Sequence, residues 1–190
     1  MIKTLVFFGS ARRNGETRAM LTILLESLGD RAGKVEIIDS YQTEIQPCVD
    51  CRYCWKTRGC SIKDEMQGIY QKIDEADTIV IATPVYYHSV PGKLKILIDR
   101  LQIYWAGIPR GDKPKVTSKN GIGLITGGAP PFPNQFFGTE LVLEGVFSAL
   151  SAKNIGIVTF PDTDKKSAEE SGELRLSIQK LAEKIPEFQN

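Results

Sequence analysis

Five apolar, β-branched stretches recur through this chain, each followed by a segment with helical spacing, and that alternation leaves few folds open. Ile2 to Phe8 is a continuous apolar run, and Thr17 to Leu28 carries apolar residues three and four apart, so a strand is expected to feed a helix. Val35 to Ile38 reads as a second strand. Asp64 is placed to open a helix, with Gln67 positioned to complete a capping box. Thr78 to Thr83 is the third strand, and Ser89 can cap a helix entered through Pro91 that runs on to Leu101. Ile122 to Thr126, Gly138 to Leu150, Ile155 to Phe160 and Ser167 to Lys184 complete the series as strand, helix, strand and helix. Strands this apolar are buried on both faces, and right-handed crossover helices pack back onto the sheet that they connect. The expectation is a doubly wound α/β domain with a parallel sheet. The cysteine-bearing stretch at about 46–62 and the segment Gly107 to Lys119 read as irregular.

No repeat, low-complexity tract or long linker divides the 190 residues, so a single domain over 1–190 is expected, with the cysteine stretch as a loop insertion. A net charge of +1 argues against nucleic-acid binding or a membrane-surface role driven by bulk charge. No run approaches the roughly 18 uninterrupted apolar residues of a membrane span. The Leu5 to Phe8 run is too short for a secretion signal, and Arg12 and Arg13 follow it instead of preceding it. A cytoplasmic location is therefore expected, where clustered cysteines favour metal or redox chemistry over disulfides.

In an open α/β sheet the ligand binds beyond the carboxyl ends of the strands, where strand order reverses. Three loops lie at such ends. Gly9 to Thr17 joins the first strand to a helix, with Ser10, Asn14 and Thr17 as hydrogen-bonding groups, Arg12 as a cation and Gly15 permitting close backbone approach. It has neither the Gly-Lys-Ser/Thr of a nucleotide-triphosphate loop nor the G-x-G-x-x-G of a dinucleotide fold; it reads as a phosphate loop of another kind, or as a polar turn before a helix. Thr83 to Lys93 follows the third strand, where Pro84 draws the chain outward and Tyr86 or Tyr87 can lie beside a planar ring or cover the sheet edge. Thr126, Gly127 and Gly128 follow the fourth strand and are small enough for a ring or a polyol chain to approach. His88, the only histidine, is assigned no role.

All four cysteines fall in one short stretch, Cys48-x2-Cys51-x2-Cys54-x5-Cys60. Four thiolates so spaced form a three-point grip and a closing fourth ligand, which suits an iron–sulfur cluster. Zinc accepts the same donors, although structural zinc sites usually separate two chelating pairs, and cysteines that carry no metal are the third reading.

Three segments together resemble the iron–sulfur flavoproteins of the flavodoxin-like NAD(P)H-dependent FMN reductase superfamily. They are the Gly-Ser-x-Arg-x-x-Gly-x-Thr loop, the Thr-Pro-Val-Tyr-Tyr-x-Ser-Val-Pro-Gly stretch leading to Ile98-Asp99-Arg100, and the cysteine run with Asp64 after it. The likeness spans about residues 1 to 128. It implies a flavodoxin-like five-stranded sheet of order 2-1-3-4-5, FMN at the strand ends, a [4Fe-4S] cluster on Cys48, Cys51, Cys54 and Cys60, and a homodimer or homotetramer. Carried over by position, Ser10, Arg12, Asn14, Gly15, Glu16 and Thr17 match the FMN-phosphate loop, and Pro84, Val85, Tyr86, Tyr87 and Ser89 match the loop that contacts the isoalloxazine. Thr126, Gly127 and Gly128 match a third flavin loop. Glu16 stands where Asn is frequent, so its side chain is expected to turn to solvent or to Arg12 or Arg13. Asp64 is read as a helix cap.

The resemblance further implies an FMN-dependent oxidoreductase with no side-chain catalyst. Its donor would be NAD(P)H or ferredoxin, and its acceptor a quinone, a flavin or a protein. An electron carrier without turnover and a cluster-free quinone or flavin reductase are the alternatives. Tyr104-Trp105 reads as packing, with substrate stacking or a subunit interface as the other uses.

Overall fold

The computed structural model describes residues 2–112 and 119–186. Its centre is a five-stranded sheet of β1 (Lys3–Phe8), β2 (Lys34–Asp39), β3 (Thr78–Pro84), β4 (Lys119–Thr126) and β5 (Ala152–Phe160), all pairs parallel and in the order β2-β1-β3-β4-β5. This is the predicted flavodoxin-like order.

Because side chains alternate along a strand, the apolar runs supply both faces. Leu5 and Phe7 of β1 join Ile79 and Ile81 of β3 in one core, covered by α3 (Met66–Glu75), α4 (Gly92–Arg100) and α6 (Phe137–Ala149). Val6, Phe8, Val80 and Ala82 face the other side, beneath α1 (Glu16–Leu28) and α7 (Gly172–Ala182). The register runs Phe8 beside Ala82 and Ala82 beside Leu124, while Pro84, Thr126 and Phe160 lie side by side at the carboxyl edge. That register brings the loops after β1, β3, β4 and β5 to one end of the sheet.

Several boundaries differ from the sequence reading, for identifiable reasons. Two further helices are present among the described residues: the short α2 (Tyr53–Lys56) inside the cysteine stretch, and α5 (Gln102–Arg110). Helix α4 stops at Leu101, whose ψ of −2° breaks the helical path, and the chain restarts at once as α5. Pro109 is tolerated in the last turn of α5; residues 113–118 of the segment expected to be irregular lie outside the described residues. Tyr104 proves to be a packing residue, with its hydroxyl 3.1 Å from both the Tyr70 carbonyl and Asp74 Oδ1, whereas Trp105 is 54% exposed. The start of β5 reaches back to Ala152 because this edge strand pairs with β4 through a bulge opposite Gly121/Ile122, which a reading of apolar runs does not detect.

Two expected caps are not formed. Ser89 does not cap α4; it closes a two-residue hairpin in which the Tyr86 and Ser89 backbones exchange hydrogen bonds of 2.8 and 3.0 Å. The capping box at Asp64 is also absent. Asp64 Oδ1 accepts from the Met66 N–H at 3.1 Å, but Gln67 Nε2 donates to the Ile62 carbonyl at 2.6 Å. The rest of the Asp64 carboxylate is committed to Arg100 and to the Gln46 N–H.

Candidate functional site

At the carboxyl edge of the sheet the loops enclose a cavity of about 180 Å³, lined by Ser10, Arg12, Gly15, Glu16, Thr17, Pro84, Val85, Tyr86, Thr126, Gly128, Thr163 and Asp164. Ten of the fourteen positions carried over from the family pattern meet here. Helix α1 begins at Glu16 with Gly15 as its N-cap and no side-chain cap, so its first amides are left for a ligand. The loop before it is held by Ser10, whose Oγ accepts from the Arg12 N–H at 3.2 Å. Thr17 Oγ1 and Thr126 Oγ1 share a buried hydrogen bond of 2.7 Å, which ties the first loop to the third. Such a site, with an uncapped helix start, an exposed arginine and hydroxyls, is suited to an anion.

Glu16 Oε2 accepts from the Ala168 N–H at 2.6 Å, which turns the carboxylate toward the segment before α7 and not, as expected, to solvent or to Arg12 or Arg13. Four expected positions do not line the cavity. Asn14 is exposed; Gly127 is buried beside Gln135 and Phe136, and its N–H donates to the Phe160 carbonyl at 2.9 Å. Ser89 sits in the hairpin, and Tyr87 at its tip is fully exposed. Both tip residues have left-handed backbones, with φ 49° at Tyr87 and φ 60° at His88. Gly138 at the start of α6 packs against this turn; a Cβ there would lie 2.1 Å from the His88 carbonyl oxygen.

Thr163 and Asp164 were not foreseen. After β5 the chain continues the pairing, with the Asp162, Thr163 and Asp164 N–H groups donating to the Ala129, Gly127 and Gly128 carbonyls. This brings the Asp164 carboxylate to Gly128, where a Cβ would lie 2.9 Å from Oδ2. The signal was available: Asp162-Thr163-Asp164 is a polar run at the end of the fifth strand, where the strand-end rule applies equally.

The four cysteines are free thiols and line one small cavity whose wall includes Arg52, Arg100 and Ile103. The stretch turns through left-handed Asp50 and Arg52, with φ 48° and 61°, and through Gly59. Arg110 of α5 donates to the Cys54 carbonyl and so anchors α2 against α5. Cys51 Sγ lies 3.2 Å from Ser61 Oγ, an interaction that holds its thiol below the usual value. Burial pushes the Cys54 thiol up, and the charges of Cys48, Cys60 and Cys51 add to that. Among the described residues no three His, Cys, Asp or Glu side chains are grouped as a ligand set. Four thiols in the lining of one cavity are nevertheless an all-sulfur donor set, the kind that soft metal centres use.

Behind the cysteines lies a buried ion pair. Burial works against the charge of Arg100 most strongly, but its bond to Asp64 together with nearby Tyr70 and Cys60 outweighs this and holds the guanidinium pKa above its ordinary value. Asp64 is correspondingly held below the usual carboxylate range: burial opposes its charge, and Arg100 and the Gln46 N–H prevail. Tyr70 donates to the Arg100 carbonyl at 2.9 Å; burial raises its phenol pKa, and nearby Cys60 adds to the rise.

Comparison with known proteins identifies the family of the chain. Residues 2–130 match the family model described as NADPH-dependent FMN reductase. An iron–sulfur flavoprotein of Methanocaldococcus jannaschii is 32% identical over 99 residues, 52% of this chain and about half (51%) of that protein's length. An iron–sulfur flavoprotein of Archaeoglobus fulgidus is 30% identical over 189 residues, 95% of this chain and 96% of that one. Among solved structures, an NAD(P)H:quinone oxidoreductase from Methanothermobacter marburgensis superposes with a TM-score of 0.72 at 16% identity, covering 100% of this chain and 99% of that one. At that identity the likeness concerns the fold.

Proposed function

The chain belongs to the NADPH-dependent FMN reductase family, and on that premise we propose that it passes electrons from NAD(P)H through FMN bound at the strand-end cavity. The observation that carries this reading is the cavity itself: ten residues from three separated loops converge on an uncapped helix start beside Arg12. At about 180 Å³ it is smaller than the roughly 300–1,000 Å³ that encloses a drug-sized ligand, so it suits the phosphate-bearing end of the cofactor. Bound FMN supplies hydride acceptance and electron release.

The protein's part is to bind and orient. The α1 amides, Ser10, Arg12 and Thr17 hold the phosphate, with Asn14, Gly15 and Glu16 shaping the loop. Asp164 and Thr126 accept from polyol hydroxyls, and Gly127 and Gly128 leave room for the chain. Pro84, Val85 and Tyr86 form the wall beside the ring, while Ser89 fixes the hairpin that carries Tyr87. Ferredoxin is the alternative donor, and a quinone, a flavin or a protein is the acceptor. We assign the chain to the cytoplasm as a homodimer or homotetramer; no helix among the described residues is long and apolar enough to cross a membrane.

Cys48, Cys51, Cys54 and Cys60 would hold a [4Fe-4S] cluster, which supplies one-electron output. Their shared cavity and all-sulfur donor set support this. The alternative reading is a cluster-free, two-electron quinone or flavin reductase. Anaerobic purification and reconstitution, followed by an absorption spectrum and iron, sulfide and zinc analysis, decides between them. Flavin bands without iron select the cluster-free enzyme. Failure to oxidise NAD(P)H above the free-flavin background would remove the enzyme reading in favour of a carrier.

A further inference from the structure

Arg100 is 1% exposed in its side chain, and its partner Asp64 is 8% exposed. Its Nη1 donates to Asp64 Oδ2 at 2.7 Å and to the Gln46 carbonyl at 2.8 Å, while Nη2 donates to Asp64 Oδ1 at 3.1 Å and to the Ile62 carbonyl at 3.4 Å. Asp64 Oδ2 also accepts from the Gln46 N–H at 2.9 Å. Gln46 precedes Cys48 by two positions and Ile62 follows Cys60 by two. One guanidinium therefore joins both ends of the cysteine stretch.

These bonds occupy the two N–H groups on each Nη. The fifth donor, Nε–H, is buried and has no partner among the described residues. An unmet buried donor costs about 1–3 kcal/mol, more on a charged group, and native structures rarely carry one without cause. Arg100 lies in the wall of the cavity lined by the four cysteines, whereas Asp64 does not. The cationic member of the pair is the one presented to the thiols.

We propose that Arg100 is the counter-charge of the cysteine pocket, closing the loop through its Nη groups and offering Nε–H and positive charge to the anionic centre that the thiolates form. This rests on the metal-centre reading above. Four thiolates around a [4Fe-4S] core or a zinc ion leave a net negative charge, which is costly beside a buried wall unless a fixed cation faces it. Arg100 is a positioning and tuning residue in this account; the cysteines remain the ligands.

The test compares FMN-loaded, anaerobically reconstituted wild type with Arg100→Gln, Arg100→Lys and Asp64→Asn, reading iron, sulfide, zinc and flavin content and the midpoint potential of the centre. Removing the cation in Arg100→Gln should make reduction at least tenfold less favourable, a shift of about 59 mV to lower potential for one electron. Arg100→Lys keeps the charge and should restore most of that shift, while tryptic cleavage at Arg52, Lys56 and Arg58 becomes faster because the fork is lost. Asp64→Asn should move the potential in the opposite direction, a sign reversal that a merely loosened loop does not produce. If Arg100→Gln loses flavin and does not fold, Asp64→Asn and Arg100→Lys decide. A wild-type potential in Arg100→Gln or in Asp64→Asn overturns the counter-charge. Wild-type protein that takes up no iron and sulfide, or that holds zinc alone and so has no reducible centre, overturns the cluster reading on which the test rests, a result distinguishable from the first because it precedes any substitution.

Discussion

Arg12 is an exposed cation in the lining of the strand-end cavity, and under the proposed function it meets the anionic end of the cofactor. A hydrogen bond to a charged group contributes about 1.5–3 kcal/mol. Arg12→Ala should therefore weaken FMN binding by about tenfold or more, with little change in thermal midpoint. Flavin fluorescence quenching on titration measures it, and unchanged affinity would remove Arg12 from the phosphate site. Glu16 shows why residue type alone is a poor guide at this scale. A carboxylate in a phosphate loop invites pairing with a neighbouring arginine, yet a backbone N–H 152 positions away at Ala168 takes it.

Among the elements, the hairpin after β3 departs most from local preference. A two-residue turn with positive φ at both central positions favours Asn-Gly, but here it carries Tyr87 and His88. Left-handed backbone costs about 1–2 kcal/mol in a residue with a Cβ. His88→Gly should raise stability by about 1 kcal/mol, read as a higher urea midpoint; a lower midpoint would mean that the packing of His88 on Phe132, with ring centroids 6.1 Å apart, outweighs the backbone strain. The same turn is braced by α6. Gly138→Ala would press a Cβ against the His88 carbonyl oxygen, so a loss of about 1–3 kcal/mol is expected together with weaker FMN binding as the turn shifts. Chemical denaturation and flavin titration on the same variant check both effects, and an unchanged midpoint contradicts the packing argument. Helix α5 belongs to this scale too. Its apolar residues continue those of α4 without a gap, and only the turn at Leu101 shows that they form two helices.

At the scale of the molecule, surface charge bears on stability through Glu36 of β2, which is held from its ordinary 4.5 down to about 2 by Lys34 first and Lys72 second. A carboxylate with a depressed pKa in the folded state stabilises the fold above its unfolded value, and that contribution is lost as pH falls through the folded one. The urea midpoint should thus decline between about pH 4.5 and about 2, and Glu36→Gln should flatten part of that decline. Identical profiles for the two proteins would reject the pairing. The alternation of strands and helices, the parallel sheet and three of the four loops that line the strand-end cavity were legible in the chain, because burial on both faces and tight strand-to-helix turns leave local patterns of apolar residues, glycine and proline. What only the tertiary structure decided depends on contacts far apart in sequence: which loop side chains face the cavity, the arrival of Thr163 and Asp164 beside Gly128, and the bond between Thr17 and Thr126. The clasp of Arg100 across Gln46, Ile62 and Asp64 is of the same kind. A cysteine run announces sulfur chemistry by itself, but the charge that faces those sulfurs comes from another helix, and no local pattern records that approach.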